Sequence, residues 1–291
     1  MKIGLQISRF DWPGTPEKMG ATLAEIARAA DDAGFASIWL MDHFFQIPAI
    51  GPVQDPMLEA YSTLGYIAAV TQRARLGTLV TGVVYRHPGL LIKAVTSLDV
   101  LSGGRAYLGI GAAWNEQEAL GLGLPFPPLA ERFERLEETL QIARQVWSGS
   151  TAEYRGQHYH LAEPVISPAP LTRPHPPILI GGTGEKKTLR LVARYGDACN
   201  LFAGMGKAEV TRKLDVLKRH CEDVGREYDE IERTALDHLP AGGLDVSKVI
   251  RRCRDMAEIG IQHLIFGVPD NYTITPLDTF GREVIPAVAE F

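Results

Sequence analysis

Short apolar runs alternate along the chain with longer stretches in which apolar residues recur every three or four positions. The first run, Ile3-Gly4-Leu5-Gln6-Ile7, reads as a strand. In the stretch that follows, Met19, Leu23, Ile26, Ala27 and Ala30 share one helical face, and Gly34 supplies a C-terminal stop. The pattern predicts further strands at residues 36–41, 74–81, 106–110, 178–180, 198–202, 232–236 and 263–266. Helical stripes are carried by Leu91, Ala94, Leu98 and Leu101, and by Phe133, Leu136, Leu140, Ala143 and Trp147. Others are expected at about 185–195, 208–224, 246–259 and 277–289, while the stretch after the second strand reads as a long proline-rich loop.

Eight strands in alternation with helices predict a single α/β domain over residues 1–291, a closed (β/α)8 TIM barrel. An open doubly wound sheet is the alternative, but it rarely needs so many units. Two stretches break the repeat. Residues 112–128 delay the helix after strand 4, and residues 149–176, with Tyr154, His158, Tyr159 and His160, precede strand 5. Long connections in compact domains are functional or disordered, so both are expected to shape one wall of a pocket.

Composition narrows the partners. A formal net charge of -5 over 291 residues gives no positive field for nucleic acid, which leaves small molecules or further copies of the chain. Cys199, Cys221 and Cys253 have neither metal-ligand nor redox spacing, as expected in a reducing compartment. No apolar run approaches the ~18 residues of a membrane span, and no leader precedes the first strand, so a cytoplasmic location is expected.

In such barrels the chemistry sits at the C-terminal ends of the strands, which shortens the list of candidates. Gly181-Gly182-Thr183-Gly184 follows an apolar strand and precedes a helix. Amides exposed in such a turn can hold a phosphate, although a tight turn without ligand gives the same pattern. Asp42-His43 leaves the second strand. His43 can exchange a proton near neutrality with Asp42 beside it, or it can simply cap a loop. Gly109-Ile110-Gly111-Ala112-Ala113-Trp114-Asn115 lets a flat ligand approach, but Trp114 stands where a dinucleotide fingerprint needs its third glycine. Neither a His-Glu-x-x-His metal motif nor a Gly-x-Ser-x-Gly elbow is present, so neither a metal site nor a serine hydrolase is expected.

Taken in order, several segments resemble the bacterial luciferase-like superfamily, in particular its branch of F420-dependent oxidoreductases. They are Met41-Asp42-His43-Phe44, Leu76-Gly77-Thr78-Leu79-Val80-Thr81, Leu98-Asp99-Val100-Leu101-Ser102-Gly103-Gly104-Arg105, the Leu108 to Glu116 run, Arg132 to Glu138, Tyr154 to Tyr159, and Pro177-Ile178-Leu179-Ile180-Gly181-Gly182. The resemblance implies a homodimeric enzyme that transfers a hydride between the deazaflavin coenzyme F420 and a small organic substrate. It places the phosphate at Gly181, Gly182, Thr183 and Gly184, and the ring near Leu79, Val80, Thr81, Gly111, Ala112, Ala113 and Asn115. Leu79 and Val80 match a family bulge containing a non-prolyl cis peptide. His43 and Asp42 take the catalytic positions, with Trp12 and Trp114 lining the substrate side. An FMN-dependent monooxygenase using reduced flavin and oxygen, and a non-catalytic flavin- or F420-binding protein, are the rival readings. The sugar-phosphate dehydrogenases of this branch carry a Glu in the turn after strand 4. Trp114 stands there in this chain, which argues against glucose 6-phosphate as substrate.

Overall fold

The computed structural model describes residues 1–240 and 244–291. The chain begins with β1 (Lys2–Ile7), α1 (Met19–Ala33), β2 (Ser37–Leu40) and α2 (Ala60–Val70). β3 (Arg75–Thr78) and β4 (Thr81–Gly82) are two pieces of one path, separated by a cis peptide bond between Leu79 and Val80. α3 (Pro88–Leu101), β5 (Leu108–Gly111), α4 (Glu116–Gly121), α5 (Leu129–Trp147) and a small hairpin, β6 (Tyr154–Arg155) with β7 (His160–Leu161), follow. The second half runs β8 (Ile178–Gly181), α6 (Thr188–Tyr195), β9 (Ala198–Phe202), α7 (Lys207–Val224), β10 (Glu232–His238), α8 (Val246–Glu258) and β11 (His263–Gly267). It closes with α9 (Thr275–Thr279), a π turn and α10 (Ile285–Val288).

The strands pair in the order β3-β2-β1-β11-β10-β9-β8-β5-β4, and every pairing in this sheet is parallel. Because β4 continues β3, and Leu76 bridges Ala106, the ring closes. This is the expected barrel. Strands covered on both faces must be apolar throughout, and Ile178, Leu179 and Ile180 of β8 are all fully buried.

The interior is filled in layers. At the N-terminal end Glu232 accepts hydrogen bonds from Lys2 Nζ at 2.8 Å and Tyr107 at 2.9 Å, while Ser37 Oγ meets His263 Nε2 at 2.9 Å. Above this polar layer Trp39, Leu179, Leu236 and Ile265 pack as an apolar one. The barrel is therefore plugged from below, and only its C-terminal mouth can admit a ligand.

Two expectations are corrected. The segment read as a long proline-rich loop contains α2, which packs between α1 and α3. Ala60, Thr63, Leu64, Ile67 and Ala68 are its buried face, but Tyr61, Tyr66, Ala69 and Val70 leave no polar contrast opposite. Residues 149–176 form no wall of the mouth cavity. They climb the outside of α5, where Tyr154 donates to Gln141 at 2.8 Å and the Gln157 and Tyr159 amides donate to Glu138 at 2.7 and 3.0 Å. They return along α3, where Asp99 accepts from the Leu171 and Thr172 amides at 2.7 and 2.9 Å.

Candidate functional site

A cavity of about 990 Å³ opens at the C-terminal ends of the barrel strands. Leu79, Leu236, Met41 and Gln6 line it along with Trp12, Trp114, Phe202, Tyr272, His43 and His238. Apolar area dominates this set, with a few polar groups that can orient a ligand. Gln6 is only 2% exposed, and its Oε1 accepts no hydrogen bond from the described residues. A buried acceptor left this way costs stability unless something meets it, so it marks the cavity as a place for a polar donor.

His43 enters the cavity from the exit of β2. Its Nδ1 lies 2.5 Å from Glu118 Oε1, on the short helix α4. Glu118 is completely buried and also accepts from the Phe44 amide at 2.8 Å and from the Tyr85 hydroxyl. Burial opposes its charge, yet His43, Tyr85 and the Phe44 amide together hold its pKa below the usual carboxylate value. Burial first, then the Glu118 charge, push the Tyr85 phenol above its ordinary range. The carboxylate thus fixes Nδ1 as a donor and leaves Nε2 for the cavity. Trp114 packs edge-on against the imidazole, with ring centroids 5.4 Å apart. Trp12 lines the cavity and packs at a tilt against Phe10, with ring centroids 5.3 Å apart.

Asp42 points the other way. It is 1% exposed and bound by Arg86, whose Nη2 lies 3.0 Å from Oδ1 and whose Nη1 meets Oδ2. Arg86 also bonds Glu59 and lies over the Tyr61 ring, 4.7 Å from its centroid. Burial works against the Arg86 charge, but Asp42 outweighs it and raises the pKa above its ordinary value. Thr81 belongs to the same buried network, with Tyr61 Oη at 2.8 Å and Thr78 Oγ1 at 2.9 Å. Burial, and next the Asp42 charge, push Tyr61 up to about 12. Neither Asp42 nor Thr81 lines the cavity.

The Leu79–Val80 bulge lies between the cavity and the glycine turn, and neither residues 111–113 nor residues 181–184 line the cavity itself. Leu79 faces the cavity, while the Val80 side chain lies against Gly111 and Gly181. A Cβ on Gly181 would stand 2.8 Å from Val80 Cγ1, and one on Gly111 would stand 3.0 Å from Val80 Cγ2. Both glycines are therefore explained by packing. Beyond them Gly182 has φ +121, and its amide donates to Asn200 O at 3.3 Å. The amides of Thr183 and Gly184 donate to no acceptor among the described residues. Such bare amides ahead of a helix suit an anion.

Ala112 and Ala113 are half-buried behind Trp114; Ala113 holds φ 61, and its carbonyl accepts from Arg132 Nη1 at 2.8 Å. Asn115 is buried at the start of α4 and lies off the cavity. Sequence reasoning missed Glu118, Tyr85, Gln6 and His238. Only Glu118 left a trace, as a carboxylate in an otherwise unexplained insertion.

A profile of the family described as luciferase-like monooxygenase matches residues 1–241. An F420-dependent glucose-6-phosphate dehydrogenase of Kineococcus radiotolerans is 31% identical over 256 residues, 81% of this chain and 73% of that protein. Among solved structures, an F420-dependent secondary alcohol dehydrogenase holding an F420-acetone adduct superposes with TM-score 0.82 at 19% identity, covering 99% of this chain and 98% of the other. The oxygenating constituent of 3,6-diketocamphane monooxygenase from Pseudomonas putida, in complex with FMN, superposes with TM-score 0.78 at 15% identity and 98% coverage of both chains. At these identities the two structures share the fold with this chain.

Proposed function

The chain belongs to the luciferase-like monooxygenase family, and from that premise we propose that it is an oxidoreductase binding coenzyme F420 at the barrel mouth. Its substrate on this reading is a small, neutral, largely apolar alcohol or carbonyl compound. The observation that supports the proposal is the placement of Leu79 on the cavity next to Val80, which packs against Gly181 at the start of a turn whose Thr183 and Gly184 amides meet no described acceptor. A planar ring over Leu79 with its anionic tail toward that turn is the ligand shape this placement suits. The 31% relative named for F420 favours the deazaflavin over FMN.

When bound, the deazaflavin supplies hydride exchange. The protein's own residues do the rest. Leu79 would back the ring, and the amides of the 181–184 turn would hold the phosphate. Gln6 Oε1 offers an acceptor on the floor of the mouth. His43 Nε2, oriented through Nδ1 by Glu118, holds the proton exchanged at the substrate oxygen. Trp12 and Trp114 limit water and press the substrate toward the ring. Asp42 is assigned to holding Arg86 and the floor of the site.

The charge of the cavity supports a neutral substrate. Arg9 is its one Arg or Lys among the described residues, and Asp11 binds it with Nε to Oδ1 at 2.9 Å. Asp270 stands on the same wall, and residues 241–243 are Ala-Gly-Gly, which add no charge. A phosphorylated sugar would meet carboxylates there, in keeping with Trp114 where the sugar-phosphate branch has Glu. Anaerobic incubation with F420 and a panel of secondary alcohols, with glucose 6-phosphate alongside, tests this. Reduction of F420 by a neutral alcohol and not by the sugar phosphate is expected. Turnover only with reduced FMN and oxygen would replace the reading with that of a monooxygenase.

A further inference from the structure

Close in sequence to the glycine turn, α5 and α6 with the turn before α6 line a second hollow of about 220 Å³. Its lining includes Lys186, Lys187, Arg190 and Arg194, together with Phe133 and Glu137. The charges are unevenly spent. Arg194 bonds Glu137, and the other carboxylate of the hollow, Glu134, takes His158 Nε2 at 2.8 Å. Lys186, Lys187 and Arg190 form no ion pair with any described residue. Lys187 instead lies over the Phe133 ring, 5.2 Å from its centroid.

Three unneutralised cations in one groove are notable in a chain whose formal net charge is -5. Arg190 and Arg194 are four residues apart on one side of α6, and Lys186 and Lys187 stand in the turn just before it. The groove begins two residues after Gly184, where the free amides end. A ligand whose phosphate sits on those amides, and whose chain continues past it with more negative charge, would run straight into it.

We propose that this groove between α5 and α6 is the subsite for the oligoglutamate tail of coenzyme F420, and that it selects F420 over FMN. This rests on the cofactor reading above. FMN ends at its phosphate and gains nothing from the groove. F420 carries a string of carboxylates beyond its phosphodiester, and these meet Lys186, Lys187 and Arg190 in turn. The attraction is electrostatic and exposed, so it weakens as salt shortens the screening length from about 10 Å at 0.1 M.

The test is an equilibrium fluorescence titration of the full-length protein with F420 carrying several glutamates and with its tail-free form. Wild type is expected to bind the tailed form at least ~10-fold more tightly at low salt, with the gap closing toward 1 M salt. The triple variant Lys186→Glu, Lys187→Glu, Arg190→Glu is expected to lose that gap while keeping wild-type affinity for the tail-free form. Circular dichroism of the variant confirms that it is folded, and a Lys187→Gln, Arg190→Gln variant gives an intermediate gap. Equal binding of both forms by wild type would overturn the tail subsite and leave the cofactor reading standing. Equal weakening of both forms in the variant would likewise overturn it, since the cations would then act on the phosphate. Binding of neither form would overturn the subsite and the cofactor reading together.

Discussion

His43 and Glu118 meet at 2.5 Å although 75 residues separate them in the chain. One leaves the second barrel strand; the other sits on the short helix inserted after β5. The insertion is thus what turns an exposed imidazole into an oriented one. His43→Ala should lower kcat by ~10²–10⁴-fold, the usual scale of lost proton transfer. Glu118→Gln keeps the shape but loses the charge, and should lower kcat by at least ~10-fold. In both, F420 affinity measured by titration should stay within a few fold. Unchanged turnover in either variant would remove that residue from the mechanism.

The same pair sets a pH dependence of stability. Glu118 has a folded pKa below its ordinary 4.5, so its unfolded state binds protons more readily. Its stabilising contribution is complete above about 4.5 and is lost as pH falls through the lower folded value. Urea unfolding should find Glu118→Gln less stable than wild type at pH 7, with the difference shrinking as pH falls through that window. A constant difference at all pH values would show that the charge of Glu118 is not what matters.

Asp42 is bound on both oxygens by Arg86 and is 1% exposed. Removing one partner of an isolated buried pair costs about 3–5 kcal/mol, and Glu59, which also bonds Arg86, leaves the cost here at the lower end of that range or below it. Asp42→Ala should therefore lose about 2–3 kcal/mol in denaturant unfolding, while the folded fraction keeps its affinity for F420. Full stability together with lost turnover would return Asp42 to the chemistry.

Gly181→Ala puts a methyl 2.8 Å from Val80 Cγ1. Overpacking of this kind costs about 1–3 kcal/mol. Val80→Ala in the same chain vacates the space, so the double variant should recover most of the stability lost by Gly181→Ala. A double-mutant cycle by urea unfolding measures the coupling. Additive effects would contradict the contact.

Much of this was legible in the sequence, and the reasons for the remainder are physical. Buried parallel strands announce themselves as apolar runs ending in glycine, so Ile178-Leu179-Ile180-Gly181 and its neighbours gave up the barrel directly. α2 escaped because Tyr61, Tyr66 and Val70 leave its outer face nearly as apolar as its inner one. His43 followed from a strand end, whereas Trp12 and Trp114 were assigned to the substrate side only with the family resemblance. Asp42 looked like a partner for His43 because adjacency is visible in a sequence, whereas Arg86, 44 residues on, is not. Glu118 owes its role wholly to tertiary structure, as does the outward course of residues 149–176.

The central claim is that a ring lies on Leu79 with its phosphate on the 181–184 turn, and cofactor titration tests it most directly. Wild-type protein is titrated separately with F420 and with FMN, oxidised and reduced, at one salt concentration, and a Leu79→Asp variant is carried in parallel. Saturable F420 binding is expected, with FMN weaker by at least ~10-fold and F420 binding lost in Leu79→Asp. Tight binding of reduced FMN with none of F420, or F420 binding untouched by a charge at Leu79, would contradict it.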